Sequence, residues 1–199
     1  MKNWKYFLLS MILFPFAGMV SSCSESDDDS ISEFENWQQK NETYFEQQYQ
    51  AHSVQSDTKF ILPSWKQAGS KSLSDIAHTE CILVDVIETL GITDVSAPLF
   101  TDSVEVHYRG RLLPSRSYPT GYEFDKSYYS SKLDVGVDVP YTCSPSGNLV
   151  TGFSTALQYM HRGDHGQVTI PYQLGYGTSD YETIPAYSTL IFDIWLEDF

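Results

Sequence analysis

The sequence predicts an α+β domain: an antiparallel, strongly twisted β-sheet wrapped around one short α-helix, with a further helix towards the N-terminus. Three observations carry this. Several segments after residue 80 alternate apolar and polar residues with the period of two that a half-buried strand requires. Within that region only residues 149–160 show helical spacing with a single apolar face. The chain also holds 14 Tyr and 11 Phe, and rings fit a pleated, half-buried surface. Several strands and one amphipathic helix bury their faces together when the sheet folds over the helix.

Each element follows from its residues. CILVDVI (81–87) is a short apolar run rich in β-branched side chains. In SVEVHYRGRLL (103–113), Val104, Val106, Tyr108, Gly110 and Leu112 fall on one face, and Glu105, His107, Arg109 and Arg111 on the other. QVTIPY (167–172) and TLIFDIWLEDF (189–199) alternate likewise, with Leu190, Phe192, Ile194 and Leu196 facing inward. In LVTGFSTALQYM (149–160), Leu149, Val150, Phe153, Ala156, Leu157 and Met160 follow helical spacing, and Gly163 ends the helix. Upstream, residues 31–50 read as a helix. Ser32 and Glu35 make a capping-box pattern, while Phe34, Trp37, Asn41, Tyr44, Phe45 and Gln48 share one stripe, half aromatic and half polar. Such a stripe is a docking face, for its own domain or for a second copy in a homodimer through residues 31–50. TKFILPSWKQAGSKSLSD (58–75) reads as a linker with one apolar patch around Phe60–Leu62 and Trp65.

The N-terminus carries an address. Lys2 and Lys5 precede an apolar run from Tyr6 to Val20, then small residues and Cys23, the layout of a secretory signal peptide over residues 1–22. The run falls short of the roughly 20 apolar residues of a spanning helix. Val20-Ser21-Ser22-Cys23 resembles the lipobox of bacterial lipoproteins, which implies a lipid on Cys23 and attachment to a membrane. An ordinary cleaved signal with an incidental Cys is the alternative. SESDDDS (24–30) extends the lipidated Cys into an acidic, solvated tether over residues 23–30. It resembles the acidic export tags of some Gram-negative groups and reads equally as a plain spacer. The expected location is the outer membrane, on its periplasmic or cell-surface side.

Charge and cysteines exclude several classes. A formal net charge of −14 with no basic stripe argues against nucleic acid as a partner. Cys81 and Cys143 pair or stand alone; no CxxC and no Cys/His ligand pattern points to a metal. His161 and His165 stand four apart, but Gly163 interrupts them and they read as solvent-facing. GYG (175–177) lacks the Lys and Ser/Thr of a phosphate loop.

Five motifs then fall into one register: VEVHYRGRL, FDKS, VTGFSTALQYMHRGD, VTIPYQLGYG and IPAYSTLIFDIWL. In order and approximate spacing they resemble the FKBP-type peptidyl-prolyl cis-trans isomerases, here an exported lipoprotein form. The match covers about residues 80–199 and is strongest from Val104 onward. The resemblance implies an FKBP-like isomerase domain over 80–199, preceded by an N-terminal helix and linker over 31–79. It implies isomerisation of X–Pro bonds in proline-containing segments of exported or surface proteins, with no cofactor and no metal. Carried over residue by residue, the catalytic positions fall on Tyr108, Asp125, Tyr176 and Phe192. The substrate-binding positions fall on Phe124, Leu149, Val150, Phe153 and Ile184, with Tyr141 the candidate for an aromatic contributed by the 128–146 segment. The Val150 N–H and the Tyr176 hydroxyl would bind substrate carbonyls. Tyr122, Tyr128 and Tyr129 would be rim or surface residues.

The chemistry asks for little more than a pocket. Rotating a peptide bond costs about 18–20 kcal/mol because resonance is lost in the twisted state. The cis and trans forms of X–Pro differ by only about 0.5–1 kcal/mol, so the barrier is the obstacle. No bond forms or breaks. A pocket that holds the prolyl ring and strips water from the amide favours the less polarised twisted form. Two departures stand out: the floor position is Phe153 where the family usually has Trp, and the loop 178–183 is too short for an insert. A non-catalytic peptide-binding module, or a structural surface lipoprotein, remains the alternative function.

Overall fold

A computed structural model describes residues 33–54, 56–67, 69, 72–89 and 96–199. The expected signal peptide, Cys23, the acidic tether and Ser32 lie outside the described residues.

Seven strands form one sheet: β1 (Lys59–Pro63), β2 (Cys81–Thr89), β3 (Val104–Arg111), β4 (Glu123–Lys126), β5 (Tyr141–Cys143), β6 (Asp164–Ile170) and β7 (Leu190–Asp198). All pairings are antiparallel, in the order β1-β2-β6-β7-β3-β4, with β5 also pairing β3. The helices are α1 (Trp37–His52) and α2 (Thr151–Leu157).

Alternation along the strands makes two faces. On one, Ile82, Val106, Val168, Ile170, Leu190 and Ile194 meet Phe153, Ala156 and Leu157 of α2 in the main core. Gly152 sets the depth of that contact, because a Cβ there would collide with the Ile170 side chain. The side chain of Ser154 ties the helix to the preceding turn by donating to the Pro145 carbonyl at 2.6 Å.

The other face is polar where it is buried. Asp193, in the middle of β7, accepts from Arg109 at 2.7 Å, Gln167 at 3.1 Å and Arg111 at 3.4 Å. Burial pushes its carboxyl up, but the hydrogen bonds from Arg109 and Gln167 and the nearby Arg111 charge outweigh that and hold it below the usual range. The buried His107 bonds Glu197 at 3.0 Å. His165 stacks flat on Trp195, with centroids 4.0 Å apart, so it is not the solvent-facing residue its polarity suggests. Tyr128, expected at the rim, is also buried here, with Lys126 Nζ 5.5 Å from its ring centroid.

The segment before residue 80 is more structured than it reads. Residues 59–63 are the edge strand β1, with Phe60 opposite Val84 and Leu62 opposite Ile82. KFILP is too short to show a period before Pro63 stops it. The helix starts at Trp37, after a turn over 33–36, with Asn36 as a left-handed N-cap and no side-chain cap. The helix therefore begins after the expected capping-box positions rather than at them. The carboxylate of Glu33 binds the loop after β3, accepting from the hydroxyls of Ser115 and Ser117 and the Ser117 N–H. The helical stripe docks on its own chain: Trp37 Nε1 donates to Ser188 Oγ at 2.8 Å, Thr189 N–H to Asn41 Oδ1 at 2.7 Å, and His52 Nε2 lies 3.1 Å from Asp85. Both described thiols are free, Cys81 buried and Cys143 half-buried.

Candidate active site

The site is built around Tyr108 on β3. Its backbone is fixed from both sides by Ser127: the Tyr108 N–H donates to Ser127 Oγ at 3.0 Å, and the Ser127 N–H to the Tyr108 carbonyl at 3.0 Å. Two residues on, Gly110 lies opposite Asp125 at a bulge between β3 and β4. Glycine is required there: a Cβ would stand 2.5 Å from the Phe124 ring and 2.8 Å from Phe192. With no side chain in the way, Phe124 folds over Gly110, and Asp125, next in the strand and paired with Gly110, reaches the cavity. Its Oδ2 then accepts the Tyr108 hydroxyl proton at 2.7 Å. Burial first, then this hydrogen bond and the carboxylate charge, push the Tyr108 hydroxyl far up, so it remains a donor at any physiological pH.

Rings close the space beneath. Tyr108 meets Phe153 edge-on at 5.6 Å and Tyr141 at 5.8 Å, while Phe153 and Phe192 meet at 5.0 Å. Phe124 supports Phe192 from behind at 5.5 Å. These edge-to-face contacts fix ring orientations as well as burying area. Tyr176 completes the wall and lies flat on Tyr181, with centroids 4.4 Å apart. Burial, then Tyr181, Asp125 and Glu182, raise its hydroxyl, so it too is a donor.

The cavity is lined by Tyr108, Asp125, Tyr141, Asn148, Leu149, Val150, Phe153, Tyr176 and Phe192, with a volume of about 150 Å³. That is well below the roughly 300–1,000 Å³ of sites for drug-sized molecules and suits a single small ring. At its edge the Val150 N–H makes no hydrogen bond among the described residues. A larger cleft of about 480 Å³ opens between α1 and residues 171–173, where Phe45, His78 and Tyr172 line it together with Glu42, Glu46, Gln47 and Gln173. Among the described residues, no group of three or more His, Cys, Asp or Glu side chains is placed to hold a metal.

The structure thus brings together Tyr108, Asp125, Tyr141, Leu149, Val150, Phe153, Tyr176 and Phe192. It does not bring two others to the wall. Phe124 stands behind Phe192, and Ile184 is buried in the core, where it anchors the turn it makes with Tyr181. Asn148 lines the cavity without having been foreseen; its only sequence signal is its place directly before Leu149.

A model of the family described as FKBP-type peptidyl-prolyl cis-trans isomerase matches residues 96–197, just over half of the chain. The chain belongs to that family. The macrophage infectivity potentiator of Trypanosoma cruzi is 40% identical over 101 residues, covering 50% of this chain and 44% of that protein. The FKBP-type peptidyl-prolyl cis-trans isomerase FkpA of Buchnera aphidicola subsp. Schizaphis graminum is 32% identical over 126 residues, 63% of this chain and 44% of that one. This FKBP chain therefore spans less than half the length of these relatives. The crystal structure of FkpA from Escherichia coli matches its fold with a TM-score of 0.54 at 24% identity, over 83% of this chain and 62% of that one. The family match begins at residue 96, so α1, β1 and β2 lie outside it although β1 and β2 belong to the same sheet.

Proposed function

We propose that the cavity binds the prolyl ring of an X–Pro segment and speeds rotation about its amide bond. The observation that carries this is the Tyr108 hydroxyl bonded to Asp125 at 2.7 Å, at the mouth of a ring-lined cage of single-ring size. An apolar floor of Phe153 and Phe192 would hold the ring and exclude water from the amide. The planar amide loses more than the twisted one when water leaves, because resonance makes it the more polarised form. The Tyr176 hydroxyl and the Val150 N–H would bind substrate carbonyls and so hold the chain on either side of the turning bond. Asp125, kept in place by Tyr108, would shape the field around the twisted carbonyl. Every step is non-covalent, and the chain needs to supply only shape, donors and dryness.

The segment upstream supports a place for this activity: a signal peptide over residues 1–22, a lipid on Cys23 and a tether to the outer membrane, with exported proteins as clients. Mass spectrometry of the native protein should find a mature chain beginning at acylated Cys23. Cleavage elsewhere, with Cys23 missing or unmodified, removes the lipoprotein.

The activity itself is tested on the full chain with proline peptides that differ in the residue before proline. Catalysed cis–trans interconversion is expected. Peptide binding without any acceleration would leave a non-catalytic binding module in its place.

A further inference from the structure

In the loop between β4 and β5, residues 134–138 bond to one another through backbone and carboxylate groups. The Asp134 carbonyl accepts from the N–H groups of Val137 at 2.9 Å and Asp138 at 2.8 Å. The Asp134 carboxylate accepts from the Gly136 N–H at 3.1 Å, and the Asp138 carboxylate from the Asp134 N–H at 2.9 Å. Three of its valines and the first residue of β5 face water: Val135 is 47% exposed, Val137 77%, Val139 81% and Tyr141 45%. Four exposed apolar side chains within seven residues, beside a cavity, make this segment a candidate interaction surface.

Its position says what the surface meets. Tyr141 lines the cavity and packs against Tyr108, so the ledge continues the cavity wall. Val139 and Val137 lie two and four residues back from it. An extended chain advances at most about 3.3–3.6 Å per residue. Val139 and Val137 can therefore stand no more than about 14 Å from Tyr141, within the span of a client chain up to four residues from the bound proline. A second copy of this chain is a poorer occupant, since a few side chains fall well short of the roughly 800 Å² per partner that a stable interface buries.

We propose that Val135, Val137 and Val139 form a second client subsite, joined to the prolyl cavity through Tyr141, that takes bulky aliphatic or aromatic side chains two to four residues from the proline. This rests on the isomerase function proposed for the cavity and adds the substrate class: prolines set among apolar residues, as in unfolded chains. The loop is already ordered by its own hydrogen bonds, so little entropy is lost when a client settles on it.

The test compares the full chain on two Ala-Pro peptides, one with Leu and one with Ser at the second and third positions on each side of the proline. The Leu peptide is expected to have a kcat/KM higher by about five- to tenfold, the effect of partly burying one aliphatic side chain, carried by KM. The double variant Val137→Ser/Val139→Ser should erase that preference and leave the Ser peptide unchanged. Ile87→Ser, at an exposed apolar site on β2, should leave both unchanged. Equal rates on the two peptides in the wild type, or a preference that survives the double variant, overturns the subsite. If neither peptide is turned over, the isomerase function fails by itself. Calorimetric affinities then decide the ledge, and the same Leu-over-Ser preference, lost in the double variant, still supports it; equal affinities overturn it. Sedimentation that shows a dimer dissolved by the double variant, without any peptide preference, assigns the ledge to self-association and also overturns it.

Discussion

The two faces of the sheet are held together by different kinds of contact. Under α2, most contacts are between rings and aliphatic side chains, and the buried hydroxyls of Ser154 and Thr155 bond to nearby backbone carbonyls. The cavity opens in that layer with Tyr108, Asp125, Asn148 and Tyr176 on its wall. On the face of Asp193 and in the α1 contact, the buried groups Asp193, His107, Asn41 and His52 each depend on a particular partner. Apolar contact is non-directional and degrades gradually when shape changes. A buried polar pair is lost as a unit, because the survivor is left without water or partner. The larger stability effects are therefore expected far from the cavity, and the functional effects on the forgiving side.

Asp193→Ala tests the extreme of that difference. It removes the acceptor shared by Arg109, Arg111 and Gln167 and should cost about 3 kcal/mol, the low end for a buried pair, because both guanidinium groups keep some access to water. Urea unfolding reads it directly. The same group gives a pH signature. Its folded pKa lies below the usual carboxylate range, so its contribution is fully present at neutral pH and is lost as pH falls through that lowered pKa. The variant should show a shallower loss of stability in acid. A cost under 1 kcal/mol would mean that the polar layer is as tolerant as the apolar one.

Asn41→Ala examines the α1 contact. Asn41 is fully buried, and its loss leaves the Thr189 N–H without its 2.7 Å partner. The expected cost is about 1–3 kcal/mol. An unchanged thermal midpoint would show that α1 is held by its rings alone.

The same contrast decides what could be read beforehand. The α2 face follows from sequence pattern: β3 and β7 appear where alternation puts them and β2 where the β-branched run lies. β6 starts three residues early, and the helix is shorter than its spacing suggests, spanning Thr151–Leu157 and ending at Gln158 rather than at Gly163. Most of the cavity wall came with them, since its side chains sit at fixed places within those patterns. What stayed hidden depended on partners distant in sequence. Glu33 looks like part of a helix start until Ser115 and Ser117 claim it. β1 is five residues long and gains its identity from β2. Phe124 and Ile184 have the right chemistry for a pocket, but Phe192 stands in front of one and the core encloses the other. Tyr128 sits beside the exposed Tyr129 in sequence, yet it is buried, because Arg109 and Lys126 give its ring a place.

Phe153→Trp probes the tolerant side. The ring is both core and cavity floor, touching Tyr108 and Phe192 edge-on. A larger ring must shift its neighbours, at a cost of up to about 1–3 kcal/mol, without loss of the fold. The raised floor should increase affinity for ligands that seat a pipecolyl ring in place of proline. A variant that fails to fold would show Phe153 to be as unforgiving as Asp193, and the contrast between the faces would fail.

The smallest stability change and the sharpest functional one are expected at Asp125. Unlike Asp193, its carboxylate is exposed and its partner is one hydroxyl. Water already pays much of its solvation, so removing it strands no buried charge. Only the Tyr108 hydroxyl loses its acceptor, and at the cavity mouth it can turn to solvent. Asp125→Leu should therefore keep the thermal midpoint within the ordinary scatter of surface substitutions, about 0.5 kcal/mol. If the carboxylate acts on the twisted carbonyl, kcat/KM for X–Pro isomerisation should fall several-fold, on the order of 1 kcal/mol of transition-state stabilisation, with a smaller change in ligand affinity. A structural role predicts the reverse: a lower midpoint and full specific activity in whatever remains folded. Midpoint and turnover measured on the same sample separate the two. A destabilised variant with unchanged specific activity removes Asp125 from the mechanism and leaves catalysis to the cage and its donors.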